Sequence, residues 1–165
     1  AGLMFLLIAG YSYRAEFAEL GSRVASELSP VGSVMRLGNE NGNVTVLIRK
    51  HPSGQFVARG AINGTRTRMM IDTGASTVVL RAADAERAGI DVSSLAFTTP
   101  VNTANGVTYA APVRLRSVAV GDIVLNDVEA LVSKPGKLNE SLLGMSFLRR
   151  LRSYEFSGDF LTLRG

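Results

Sequence analysis

At 165 residues with 46% hydrophobic side chains, the chain can bury one real core and carry a tail, which excludes intrinsic disorder. It has no cysteine, so disulfides and cysteine nucleophiles are excluded, while the compartment stays open. The net charge of +4 is modest, and no stripe of Lys and Arg with interleaved aromatics marks a nucleic-acid surface, so no nucleic-acid partner is expected.

Residues 1–11, AGLMFLLIAGY, are uncharged but too short to span a bilayer, which takes about 20 apolar residues. They read as the end of a transmembrane helix or uncleaved signal anchor, with Tyr11 and Tyr13 suited to a membrane–water interface and Arg14 the first charge. A buried core helix is the alternative. Phe17, Leu20, Val24 and Leu28 then recur at helical spacing, and Pro30 ends the run. This helix is a juxtamembrane stalk or packs on the domain. Residues 31–42 contain Gly32, Gly38 and Asn41-Gly42 and read as a linker and turn. The expected division is therefore an anchor and helix over 1–30, a linker over 31–42 and one domain over 43–165.

From Asn43 the hydrophobic period changes to two, and 17 glycines with few helix-length periodic runs favour a mainly β domain. Strands are expected at Asn43–Arg49, Phe56–Ile62 and Arg66–Ile71, with a turn at residues 51–54 and a hairpin turn at Asn63-Gly64. His51, the one histidine, reads as a turn residue; a metal site would need more ligands, so no metal or cofactor is expected. Thr77–Leu80 continues the β pattern, and Arg81–Ala88 is a short alanine-rich helix stopped by Gly89. Ile90–Pro100 is a connecting loop with Leu95 and Phe97 turned inward. Val101–Ala110 is a hairpin with Asn105-Gly106 at its tip, and Val113–Val120 and Ile123–Val132 form another. A loop over Ser133–Asn139, a strand at Ser141–Leu143 and a helix over Gly144–Leu151 follow. Ser153–Phe156 and Phe160–Leu163 close the domain as a hairpin. The cluster Arg149-Arg150-Leu151-Arg152 suits an anionic membrane surface or a solvated helix face.

The chemistry concentrates at Met69-Met70-Ile71-Asp72-Thr73-Gly74-Ala75-Ser76. An apolar strand delivers a carboxylate, a hydroxyl and a glycine, then stops. A carboxylate at the end of a buried strand is costly unless it is paired or hydrogen-bonded, and Gly74 permits a tight turn that a Cβ would obstruct. Alone, the tripeptide could be an acid capping a turn. Downstream, Ser141-Leu142-Leu143-Gly144-Met145-Ser146-Phe147-Leu148 places two bulky aliphatics and a glycine before a helix-like stretch.

Together these two motifs resemble the retropepsin-like aspartic proteases, and within them the bacterial, membrane-tethered type. The likeness covers roughly residues 55–163. It implies a closed β-barrel with one or two short helices, here preceded by the helical anchor. It also implies an aspartic endopeptidase acting on polypeptides, with Asp72 as the catalytic acid and Thr73 and Gly74 supporting its loop. Ala75, Ser76, Asn105, Gly106, Val107, Leu143 and Gly144 would bind substrate, the Val101–Ala110 hairpin acting as a flap. Leu142 would also help to line the apolar pockets. Peptide hydrolysis of this kind needs two carboxylates sharing one proton. The chain offers one Asp-Thr-Gly, so a homodimer is expected, with Asp72 of a second copy completing the pair. Retroviral members often pair an acid after the first motif with an arginine after the second; here Ser76 and Met145 stand at those positions. Bacterial relatives imply a single-pass inner-membrane protein with a periplasmic domain. A retropepsin-like module without activity, and a phosphotransferase using Asp72 as nucleophile, are the competing readings; the second wants a βαβ alternation that the hairpins here do not provide.

Overall fold

The computed structural model describes residues 34–40, 43–103 and 106–165. The anchor and helix expected over 1–30, and Asn105, lie outside the described residues. In chain order the elements are β1 (Val34–Glu40), β2 (Asn43–Arg49), β3 (Val57–Ile62), β4 (Thr65–Ile71), β5 (Val78–Leu80), α1 (Ala82–Arg87), a 3-10 turn (Val92–Ser94), β6 (Thr99–Thr103), β7 (Gly106–Val120), β8 (Ile123–Ser133), β9 (Ser141–Leu143), α2 (Met145–Leu148), β10 (Ser153–Ser157) and β11 (Phe160–Arg164).

Seven strands form one sheet in the order β3-β4-β9-β5-β8-β7-β6, and pairing of β3 with β7 closes six of them into a barrel. The seam depends on Gly60. A Cβ there would lie 2.2 Å from the Ala119 carbonyl oxygen, so only glycine lets β3 approach β7 closely enough to pair. The β3–β4 hairpin turns through Asn63 at φ 49° and Gly64 at φ 82°, the paired positive values that a two-residue turn of this hand requires. Asn63 also docks the turn onto β7, where its Oδ1 accepts from the Arg116 and Ser117 amides at 2.9 and 3.3 Å.

The second sheet has the order β1-β2-β11-β10. Val46 and Ile48 of β2 and Leu161 and Leu163 of β11 are fully buried in the same core as Met69, Leu80, Leu115 and Phe147 of the barrel side. Burial alternates along β11, where Leu161 and Leu163 turn into the core, whereas Val46–Ile48 of β2 and Val78–Leu80 of β5 are buried on both faces.

Three elements differ from the sequence reading. Residues 34–40, read as part of a linker, form β1 and pair antiparallel with β2, with a register shift between Leu37 and Asn39. β7 is one strand of 15 residues, not two pieces broken near Pro112. Pro112 sits where β7 has β8 on one side only, because β6 pairs as far as Ala110 and β3 from Val118 onward. A missing amide on that open side disturbs no ladder. The helix after Gly144 is a single turn, Met145–Leu148, rather than extending to Leu151. Leu95 and Phe97 pack against the core as expected, although Thr99 and Pro100 already belong to β6.

Candidate active site

β4 ends in Ile71 with its edges fully used. The Ile71 amide donates to the Phe56 carbonyl at 2.8 Å, and the next amide, of Asp72, donates to the Leu143 carbonyl at 3.1 Å. β9 lies between β4 and β5: Met69, Met70 and Ile71 pair parallel with Ser141, Leu142 and Leu143, and Val79 of β5 faces Leu142 antiparallel. The two motifs, some 70 residues apart, are therefore neighbouring strands that leave the sheet together.

After Asp72 the chain reverses. The Ala75 amide donates to the Asp72 carbonyl at 3.3 Å, and the Gly74 amide donates to Asp72 Oδ1 at 2.9 Å, an aspartate-centred turn. A Cβ on Gly74 would come within 3.1 Å of Asp72 Oδ1, so glycine keeps the carboxylate's position open. Asp72 is half-buried, and Thr73, Gly74 and Ser76 are exposed around it. Three successive carbonyls of the loop turn toward α2. That of Ala75 accepts from the Met145 amide at 2.8 Å, that of Ser76 from Arg149 Nη2 at 3.3 Å, and that of Thr77 lies against the Gly144 Cα.

The other expected site residues divide. Val107 is 62% exposed and Tyr109 47% exposed on the same face of β7, free to meet a ligand. Lys134 Nζ stands 5.9 Å from the centre of the Tyr109 ring. Gly106 takes φ 109° and pairs with Thr103 across residues 104 and 105, so it begins the strand rather than forming the tip. Leu143 and Gly144, expected against substrate, both lie inside the single chain. Leu143 is fully buried in the core, and Gly144 is buried beneath the Asp72 loop. Alternation along β9 turns the half-buried Leu142 outward instead. Ala75 is half-buried, with its carbonyl taken by α2.

Two hydroxyls that the sequence reading passed over hold the second motif. Ser146 Oγ accepts from the Val78 amide at 2.9 Å and donates to the Glu129 carbonyl at 2.6 Å. Ser141 Oγ accepts from the Arg81 amide at 3.0 Å and donates to Asp84 Oδ2 at 2.6 Å. Asp84, not among the expected site residues, is 2% exposed and also receives Arg81 through two nitrogens at 3.0 Å and Arg87 Nη2 at 2.6 Å. Burial alone would raise its pKa, but the hydrogen bonds from Arg81, Ser141 and Arg87 outweigh it and hold the carboxyl well below the ordinary carboxylate range. The signal in the sequence was Arg81, Asp84 and Arg87 at spacings of three on one helix face.

A carboxyl depressed in the folded state contributes stability above its unfolded pKa of about 3.9, and that contribution is lost as pH falls toward the folded value. Asp84→Asn should therefore cost about 2 kcal/mol at neutral pH, below the value of a fully buried pair because both arginines reach solvent. Thermal unfolding of both proteins from pH 7 to 2 checks this. The gap between their melting temperatures should narrow below about pH 4, and a constant gap would refute the assignment.

His51 lies in its turn, with Nδ1 2.8 Å from Ser53 Oγ. Among the described residues no group of three or more His, Cys, Asp or Glu could hold a metal ion, and no helix is long and apolar enough to cross a membrane. The arginines of the 149–152 cluster reach backbone carbonyls: Arg150 those of Asn126 and Asp127, Arg152 that of Gly165.

A model of the gag-polyprotein putative aspartyl protease family matches residues 58–150. An uncharacterized protein from the cobV 5′ region of a Sinorhizobium species is 37% identical over 98% of this chain and 69% of its own length. An uncharacterized protein of Rickettsia prowazekii is 34% identical over 99% of this chain and 68% of its own. Among solved structures, a retropepsin-like aspartic protease from Rickettsia conorii superposes with a TM-score of 0.68 at 31% identity, covering 80% of this chain and 95% of that one.

Proposed function

The chain belongs to the retropepsin-like aspartic proteases, and from that premise we propose that it is an endopeptidase whose active site forms across a homodimer, with one Asp72 from each copy. The observation that carries this reading is the single Asp-Thr-Gly loop, clamped from both sides by the Leu143 carbonyl and the Met145 amide, with its carboxylate left accessible. Asp84, Glu129, Glu140 and Glu155 each pair with an arginine, so none of them offers a free second carboxylate.

In the proposed pair one carboxylate is ionised and takes a proton from water as the water oxygen attacks the scissile carbonyl carbon. The other is protonated and donates to the carbonyl oxygen. Collapse of the tetrahedral adduct breaks the carbon–nitrogen bond as the amine takes a proton back from the pair. An extended peptide would lie between this loop and the exposed Val107 and Tyr109 of β7. Residues 1–30, in the same reading, tether the domain to a bacterial inner membrane on its periplasmic side and raise the local concentration of partners.

An exposed aromatic edge supports the second copy. Phe156 on β10, the outer strand of its sheet, is 48% exposed and stacks edge-on against Phe56 at 5.3 Å and Tyr154 at 6.5 Å. Phe56 accepts the Ile71 amide just before Asp72, so this apolar edge adjoins the site that lacks an acid. Specific peptidase activity should fall on dilution in step with dimer dissociation followed by sedimentation. Phe156→Glu should weaken the dimer at least about tenfold. A monomer with full activity would end the two-copy reading.

A further inference from the structure

Most arginines of the domain that reach a side chain meet a carboxylate: Arg68, Arg81, Arg87, Arg114 and Arg164 all do. Arg149 differs. It follows α2, is exposed, and its guanidinium is aimed by two carbonyls, Nε toward Met145 at 3.2 Å and Nη2 toward Ser76 at 3.3 Å. Carbonyls orient a guanidinium but leave its charge unopposed. Among the described residues no carboxylate lies within 4.0 Å of it. The cation therefore stands, with donors to spare, on the rim of the loop that carries Asp72. Ser76 and Met145 carry no ion pair of their own, and an arginine one helical turn beyond Met145 brings positive charge to the same edge.

We infer that Arg149 is the cation of a specificity subsite that selects an acidic side chain in the substrate, an inference that rests on the peptidase reading above. Ser76 lies four positions after Asp72, in a loop that folds back on itself. Planar guanidinium matches carboxylate in a two-point contact, and the unopposed charge disfavours Lys or Arg at that position. Because the site is exposed, the selectivity is modest, about fivefold in kcat/KM for Glu over its isosteric amide Gln.

The test uses the full chain at about pH 6, where a substrate Glu is ionised. Cleavage of a randomised peptide library locates the preferred position, and paired Glu and Gln peptides then give the ratio of kcat/KM. The ratio should be about five for the native protein, about one for Arg149→Ala, and below one for Arg149→Glu, with Lys now preferred. A flat preference in the native protein overturns the inference while leaving the peptidase reading intact. An equal fall for both peptides in Arg149→Ala, with the ratio kept, overturns it in favour of a loop-positioning arginine. A changed dimer dissociation midpoint with an unchanged ratio overturns it in favour of an ion pair between copies. Absence of cleavage by the native protein at any pH would sink the peptidase reading and the subsite with it.

Discussion

Asp72→Asn will remove peptide hydrolysis by about 10²–10⁴-fold while leaving the melting temperature nearly unchanged. Asparagine keeps the oxygen that accepts from the Gly74 amide, and the backbone bonds of residue 72 to Leu143 and Ala75 do not involve the side chain. What disappears is the ionisable group. An amide can neither take a proton from water nor return one to the leaving amine. kcat with a cleaved peptide, beside thermal unfolding of both proteins, reads the two effects separately. Turnover at the native rate would end the aspartic peptidase reading. A mutant that unfolds would mean instead that the carboxylate holds the loop together. An inactive native protein with an intact fold would favour the binding-module alternative.

Gly144→Ala should disable the site by a different route. A Cβ at this position would stand 2.0 Å from the Thr77 carbonyl oxygen and 2.7 Å from that of Ala75, both backbone atoms without a flexible side chain to yield. To admit it, α2 must separate from the loop, breaking the bond from the Met145 amide to the Ala75 carbonyl. The expected cost is about 3 kcal/mol, at the upper end of overpacking, together with loss of activity in the molecules that remain folded. Gly60→Ala is the matched comparison, because its Cβ meets the Ala119 carbonyl at 2.2 Å on the barrel seam. It should lower stability similarly yet spare activity per folded molecule. If Gly144→Ala matched the native protein in both stability and kcat, the two motif loops could not be packed as described here.

The strands and turns were legible because their causes are local. Asn43–Arg49 and Ser141–Leu143 are strands with the ends read from the sequence, and Asn63-Gly64 turns where two positive φ values are needed. The acid at the end of β4 was legible only in combination: Asp-Thr-Gly after an apolar run could merely cap a turn, and the Leu142-Leu143-Gly144 motif downstream gave it its meaning. β1 was missed because its glycine and turn residues mark a linker locally, and only pairing with β2 makes it a strand. Which of Leu142 and Leu143 faces inward was not legible, because two adjacent leucines carry no mark of it; the parity of β9 between β4 and β5 decides that.

By itself, then, the sequence determined the β-rich class, the turn positions and the identity of the one motif acid, since period, φ preference and ionisability belong to single residues or short runs. Tertiary structure decided the strand order that brings Leu143 to Asp72 and the barrel seam that only Gly60 permits. It decided the bond from Ser141 to Asp84 across 57 residues and the reach of Arg149 to Ser76 across 73. Those contacts depend on which distant backbones lie side by side. That choice is made by burying one shared core rather than by any local preference.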